Sequence, residues 1–263
     1  MQHCIDAFYC QCLSFTFASR ETENVTLWFV RLAEQRKNSN FAETKNYVMK
    51  ILAVGTNYAQ HNKEITTDLQ QQGVGKSADD KQRDPVIFTK ADSSLLKDNK
   101  PFFIPDHLGR IDYETEVVVR ICRLGKCISE QFAHRYYDAV TLGIDFTARD
   151  LQKKLREEGQ PWEIAKGFDG AAVTGNWIEK EKLPGIQALH FSLNINGEER
   201  QAGCTADMLC SVDRLIAYIS QFFTLKTGDL LYTGTPVGVG PVHIDDHLEG
   251  FLEGRQVLDF WCR

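Results

Sequence analysis

Asp112-Tyr113-Glu114-Thr115-Glu116, running on into Val117-Val118-Val119-Arg120-Ile121, is the stretch on which the reading of this chain turns. Its Val, Thr and Ile residues after paired carboxylates predict a strand, and a strand sends residues two apart to one face. Glu114 and Glu116 are therefore expected to point the same way, their Cα atoms roughly 6.6 Å apart at the usual strand rise. Both carboxylates then reach a single ion, and without one they repel each other. A hard divalent cation resolves that repulsion. An exposed strand face carrying two glutamates is the plain alternative, and the pentapeptide leaves both open.

Short strands, turns and short helices are expected on either side. Upstream, Lys50-Ile51-Leu52-Ala53-Val54 reads as a strand ending at Gly55, and Asn57 to Ile65 as a helix with Asn57 near its N-cap. The polar stretch Gln70 to Asp84 reads as a loop, and Pro85 to Lys90 as a second strand. Downstream, Ser129 is placed to cap a helix over Glu130 to Asp138, followed by a strand at Val140 to Ile144 with Asp145 at its end. Ala148 to Leu155 has a helical pattern stopped by Gly159-Gln160-Pro161, and Leu193 to Glu198 is a hairpin over Asn196-Gly197. Ser211 caps an amphipathic helix from Val212, and a strand is expected at Gln256 to Phe260. Many strands with few short helices favour one α+β domain over a parallel βαβ array. That domain is expected to begin at Met49. Residues 1–48, rich in aromatics and holding three cysteines, form an extension or else a first helix packed on the domain.

A net charge of −6 argues against a dedicated nucleic-acid or anionic-membrane surface and favours small-molecule chemistry. The eight cysteines form no C-x-x-C pair, and with no secretory leader visible they read as reduced thiols of a cytoplasmic protein. Three motifs mislead. Gly73-Val74-Gly75-Lys76-Ser77 lacks the first glycine of a phosphate loop and a strand leading into it. Gly234, Gly238 and Gly240 read as turns around Pro236 and Pro241, and His243 with His247 as part of a solvated acidic turn.

The motifs that carry weight are taken jointly. Asn57-Tyr58-Ala59-Gln60-His61-Asn62-Lys63-Glu64, Asp112 to Glu116, Asp145-Phe146-Thr147-Ala148-Arg149-Asp150-Leu151-Gln152, Pro161 to Asp169, and Thr233-Gly234-Thr235-Pro236-Val237-Gly238-Val239-Gly240 follow in order. From about Met49 to the C-terminus this pattern resembles the fumarylacetoacetate hydrolase family, most closely its small acylpyruvate hydrolases and oxaloacetate decarboxylases. The resemblance implies a mixed β-sandwich or roll with short peripheral helices, and a homodimer. It makes Glu114, Glu116 and Asp145 the ligands of Mg²⁺, with Mn²⁺ or Ca²⁺ as substitutes, an all-oxygen set suited to hard cations. Three carboxylates against a dication leave about one negative charge, so an anionic 2-oxo acid needs positive neighbours. Lys166 and Arg149 would supply them, with Gln152 as a neutral hydrogen-bonding partner and Thr235 offering its hydroxyl or backbone to the substrate carboxylate. His61, oriented by Glu64 on one helix face, would take the proton of an attacking water. The activity implied is cleavage of a carbon–carbon bond in 2,4-dioxo acids by way of enolpyruvate. Oxaloacetate decarboxylation or tautomerisation and isomerisation of a hydroxylated dienedioate are the alternatives, and a catalytically silent metabolite-binding relative the reading of another class. One departure is Ala91 after Lys90, where the family pattern has proline.

Overall fold

The computed structural model describes residues 49–60 and 84–263. Along them run β1 Ile51–Gly55, β2 Val86–Lys90, β3 Leu95–Leu96, β4 Ile111–Tyr113, β5 Thr115–Ile121, β6 Tyr137–Asp145, β7 Thr147–Ala148 and β8 Ala172–Thr174. Then come β9 Ile178–Glu179, β10 His190–Ile195, β11 Glu198–Cys204, β12 Leu230–Tyr232, β13 Gly240–Pro241, β14 His247–Leu252 and β15 Arg255–Trp261. The helices are short: α1 Glu130–Ala133, α2 Arg149–Glu157, α3 Glu163–Lys166 and α4 Val212–Phe222.

The largest sheet is mixed and eight-stranded, in the order β2-β1-β12-β5-β6-β8-β3 with β9 also paired to β6. It curls on itself. Lys90 at the end of edge strand β2 reaches across to the Ala171 carbonyl beside β8, near the opposite edge, with Nζ at 3.2 Å. Strand alternation then divides the sheet into an inside and an outside. Ile51, Ala53, Val118, Ala172, Leu230 and Tyr232 form an inner apolar cluster with Phe88 packed on it. Their neighbours Leu52, Val54, Val117, Val119, Leu142, Ile144 and Leu231 face outward into the main core. There they join Leu193, Leu248, Leu258 and Phe260 of the four-stranded sheet β11-β10-β14-β15, and Val212, Leu215, Ile216 and Ile219 of α4. The inside is tight. A Cβ on Gly143 would fall 2.6 Å from the Val173 carbonyl oxygen and 2.7 Å from the Tyr232 and Val118 side chains.

Several expected elements are present close to their predicted bounds, among them the Asn196-Gly197 hairpin. Both of its turn residues have positive φ, 54° and 80°, as a two-residue hairpin turn of the right hand requires. Ser211 does cap α4, accepting from the Arg214 amide. Three expectations need correction. The strand expected through Glu114 is two strands: β4 pairs with β7 and β13 in a small separate sheet, and Glu114 sits at the joint before β5. The helix after Ser129 stops at Ala133, because Tyr137 and Ala139 pair with Ile121 and Arg120, and sheet pairing overrides local helix preference. Asn57 lies just ahead of the helical residues Ala59 and Gln60, near the helix start as expected. Its side chain donates to the Cys210 and Thr233 carbonyls and accepts from the Cys210 amide. His247, read as part of a solvated turn, opens β14 and stacks on Trp261. The 1–48 extension, most of the 57–65 helix, all but Asp84 of the 70–84 loop and the 73–77 glycine motif lie outside the described residues. No described helix is long and apolar enough to cross a membrane.

Candidate metal centre and active site

The inner face of the roll becomes polar at one end. Glu116 precedes Val118 by two positions on β5 and so points inward, Asp145 ends the antiparallel neighbour β6, and Glu114 leads into β5. All three are buried, and a carboxylate oxygen of each lies within 4.8 Å of the others. The Gly234 amide, in the turn after β12, donates to Glu116 Oε2 at 2.8 Å.

Basic side chains surround this trio. Lys166, at the end of α3, donates to Glu114 Oε2 at 2.7 Å and to Asp145 Oδ2 at 2.9 Å. Burial opposes its charge, but Asp145 and Glu114 together outweigh burial and raise it above the ordinary lysine value, so it stays an ammonium. Arg149, the first residue of α2, is gripped on three sides. It donates through Nε to Asp112 Oδ2 at 2.8 Å, through Nη1 to Gln152 Oε1 at 2.8 Å and through Nη2 to Glu114 Oε1 at 2.6 Å. Because a guanidinium only donates, Gln152 must turn its oxygen toward Arg149, which leaves its NH₂ group directed away. Thr235 borders the same cleft, but its hydroxyl proton goes to the Thr115 carbonyl at 2.9 Å while its oxygen accepts from Gln201 at 2.7 Å. Its capacity toward a ligand is therefore mostly spent.

Sequence reasoning missed two members. Lys90 is wholly buried with Nζ 2.5 Å from Asp145 Oδ1, and it also donates to the Lys166 carbonyl. Burial lowers its pKa, and Asp145 is the strongest influence the other way. The available signal was alternation on β2, which puts Lys90 on the same face as Phe88. Asp112 was quoted with the glutamates but given no role; it anchors Arg149 and also pairs with Arg110. His61 and Glu64, expected as the acid–base pair, lie outside the described residues.

The donor set fits a divalent cation. It is all oxygen, which suits hard ions. Burial, then Asp145 and Glu114, push the Glu116 carboxyl well above the usual carboxylate range, a repulsion that a bound dication would reverse. The earlier charge estimate changes. Each of Lys90, Lys166 and Arg149 touches the trio, so three carboxylates meet three cations and a dication leaves about two positive charges for an anionic ligand. The adjoining cleft is narrow, with a cavity volume of about 30 Å³, and is also walled by Phe88, Arg156 and Trp162. A second recess, bordered by Arg120 and Trp177, belongs to the roll's other end and holds no carboxylate cluster among the described residues.

Residues 50–262 match the family described as fumarylacetoacetate (FAA) hydrolase, C-terminal. The chain belongs to this family. Oxaloacetate tautomerase of Escherichia coli is 36% identical over 211 residues, 80% of this chain and 91% of that one. The mitochondrial oxaloacetate tautomerase of Mus musculus is 35% identical over 210 residues, 80% and 90% of the two chains. Among solved structures, fumarylpyruvate hydrolase from Pseudomonas aeruginosa in complex with Mn²⁺ and pyruvate aligns with a TM-score of 0.73 at 31% identity, over 82% of this chain and 89% of that one. Family members are hydrolases, isomerases and tautomerases, and the chain is an enzyme of this family. The expected α+β fold is likewise that of its structural neighbours.

Proposed function

We propose that the chain is a divalent-cation-dependent enzyme, with Mg²⁺ or Mn²⁺ as the working ion, that interconverts the keto and enol forms of oxaloacetate. The observation that carries this is the match of three buried carboxylates by three contacting cations, which with a dication leaves room for a doubly charged anion. Glu114, Glu116 and Asp145 would hold the cation, which would supply Lewis acidity to a bound 2-oxo acid. Lys166 keeps its proton and holds an N–H beside the 2-oxo oxygen, where negative charge grows as the C3 proton leaves. The Gln152 NH₂ group holds the adjoining carboxylate, and Arg149, tied to Asp112, keeps Glu114 in place. His61, steadied by Glu64, is assigned the proton exchanged at C3; this role rests on sequence alone.

A second reading is hydrolysis of a 2,4-dioxo acid, with His61 activating water. It is supported by the likeness to a hydrolase whose structure holds Mn²⁺ and pyruvate, the fragment such a cleavage releases. The two separate in one experiment. Metal-loaded protein is offered enol oxaloacetate, acetylpyruvate and fumarylpyruvate, with products identified. Chelator-sensitive acceleration of enol decay, exceeding any cleavage of the dioxo acids, is expected. Enol decay that ignores the chelator would overturn the metal role, and faster cleavage than tautomerisation would install the second reading. The described cysteines are free thiols, which suits a reducing compartment such as the cytoplasm.

A further inference from the structure

We propose that Arg156 receives the distal carboxylate of the substrate and so selects dicarboxylic over monocarboxylic 2-oxo acids. The proposal rests on the functional reading above and adds a residue to it. Arg149, Gln152 and Arg156 fall at i, i+3 and i+7 on α2, the spacing that lines up one helical face, and all three border the cleft beside Glu114 and Glu116. Arg149 and Arg156 thus stand at the two ends of that face, with Cα atoms roughly 10 Å apart at the helix rise. The cations nearest the carboxylates are consumed: Lys90, Lys166 and Arg149 each pair with one or more of them. Arg156 is different. Among the described residues no carboxylate lies within salt-bridge distance of its guanidinium, which instead lies over the Trp162 ring at 5.5 Å from the centroid. Trp162 in turn meets the edge of Phe88 with centroids 6.1 Å apart, so the ring is held against the wall of the cleft.

The electrostatics agree with the geometry. Burial, and then the positive charge of Arg149, lower the Arg156 pKa, and Glu114 offsets them only in part. A guanidinium in water keeps its proton, so the unfavourable environment persists as an under-compensated cation that an arriving carboxylate relieves. A planar guanidinium held over an indole offers a paired donor edge, which suits a carboxylate better than a mobile ammonium does. The competing account is a cation that only covers Trp162 and meets no ligand.

The test compares the full-length, Mn²⁺-loaded protein with its Arg156→Gln and Arg156→Lys variants. Calorimetry measures affinity for oxaloacetate, which has the distal carboxylate, and for pyruvate, which lacks it; KM for oxaloacetate is followed alongside. In Arg156→Gln the ratio of oxaloacetate to pyruvate affinity should fall at least tenfold, with pyruvate binding within twofold of wild type. Arg156→Lys should recover only part of the ratio. An unchanged ratio, or equal losses for both ligands, would overturn the assignment. The ratio is read from binding, so it decides the role of Arg156 even if the wild-type protein turns over no oxaloacetate, a result that would sink the functional reading instead.

Discussion

Replacing Lys90 by methionine isolates the charge balance on which the site depends. In the folded chain its ammonium lies 2.5 Å from Asp145 Oδ1 and is wholly buried, while Lys166 holds the other oxygen at 2.9 Å. Removing one partner of a buried ion pair costs about 3–5 kcal/mol, because the remaining charge stays buried and unmatched. Lys166 still compensates Asp145, so the low end, about 3 kcal/mol, is expected for metal-free protein. Against a typical domain stability of about 5–15 kcal/mol the variant still folds. For a domain of this size the loss corresponds to a fall in Tm of roughly 6–12 °C. Metal binding responds in the opposite direction. A bound dication and the Lys90 ammonium would both crowd Asp145, and two unit charges about 4 Å apart already repel by about 4 kcal/mol at an effective dielectric of 20. Lys90→Met should therefore bind Mn²⁺ at least tenfold more tightly than wild type, about 1.4 kcal/mol. At the same saturating Mn²⁺ about half of the Tm deficit relative to wild type should close, since both proteins gain from the metal and the tenfold tighter binding is worth about 1.4 kcal/mol more to the variant. Scanning calorimetry with and without metal, plus titration calorimetry, measures both quantities. A metal-free variant as stable as wild type, or one that binds Mn²⁺ more weakly, would refute this account of Lys90.

Other expectations are simpler. Glu116→Gln should keep the fold by circular dichroism but lose Mn²⁺ affinity at least hundredfold and turnover with it. His61→Ala should retain Mn²⁺ and lose hydrolysis of acylpyruvates; cleavage at the wild-type rate would remove His61 from water activation. Gly143→Ala should lower stability by about 1–3 kcal/mol or more in urea unfolding, because the Val173 carbonyl cannot retreat without breaking the sheet. Asp213 provides a pH test. Burial raises its pKa, so the folded protein holds that proton more tightly than the unfolded chain, and wild-type stability falls as pH rises through the window between the ordinary and the raised value. Asp213→Asn carries no such proton, so its stability relative to wild type should grow as pH rises from about 4 and then level off. A pH-independent difference would count against that origin.

What could be read from the chain depended on the range over which each interaction acts. Alternation within β5 placed Glu116 and Val118 on one face, and the Asn-Gly dipeptide marked the hairpin, because both are decided by neighbouring residues. Tyr137 shows the limit: its surroundings suit a helix, but its partner is Ile121, and only the assembled sheet makes strand the better state. The metal ligands became legible as a set because five motifs in order pointed to one family. Lys90 had no such help. A lysine ending a short strand ordinarily faces water, and nothing adjacent to it announces an acidic partner across the roll. Its role exists only because β2 curls back toward β8, placing an ammonium beside Asp145 and raising the surplus around a bound dication from about one positive charge to about two. That added charge is what makes a doubly charged substrate physically reasonable here. It also explains why Arg156, which has no acidic partner among the described residues and shares a helical face with Arg149, is the side chain on which substrate choice should turn.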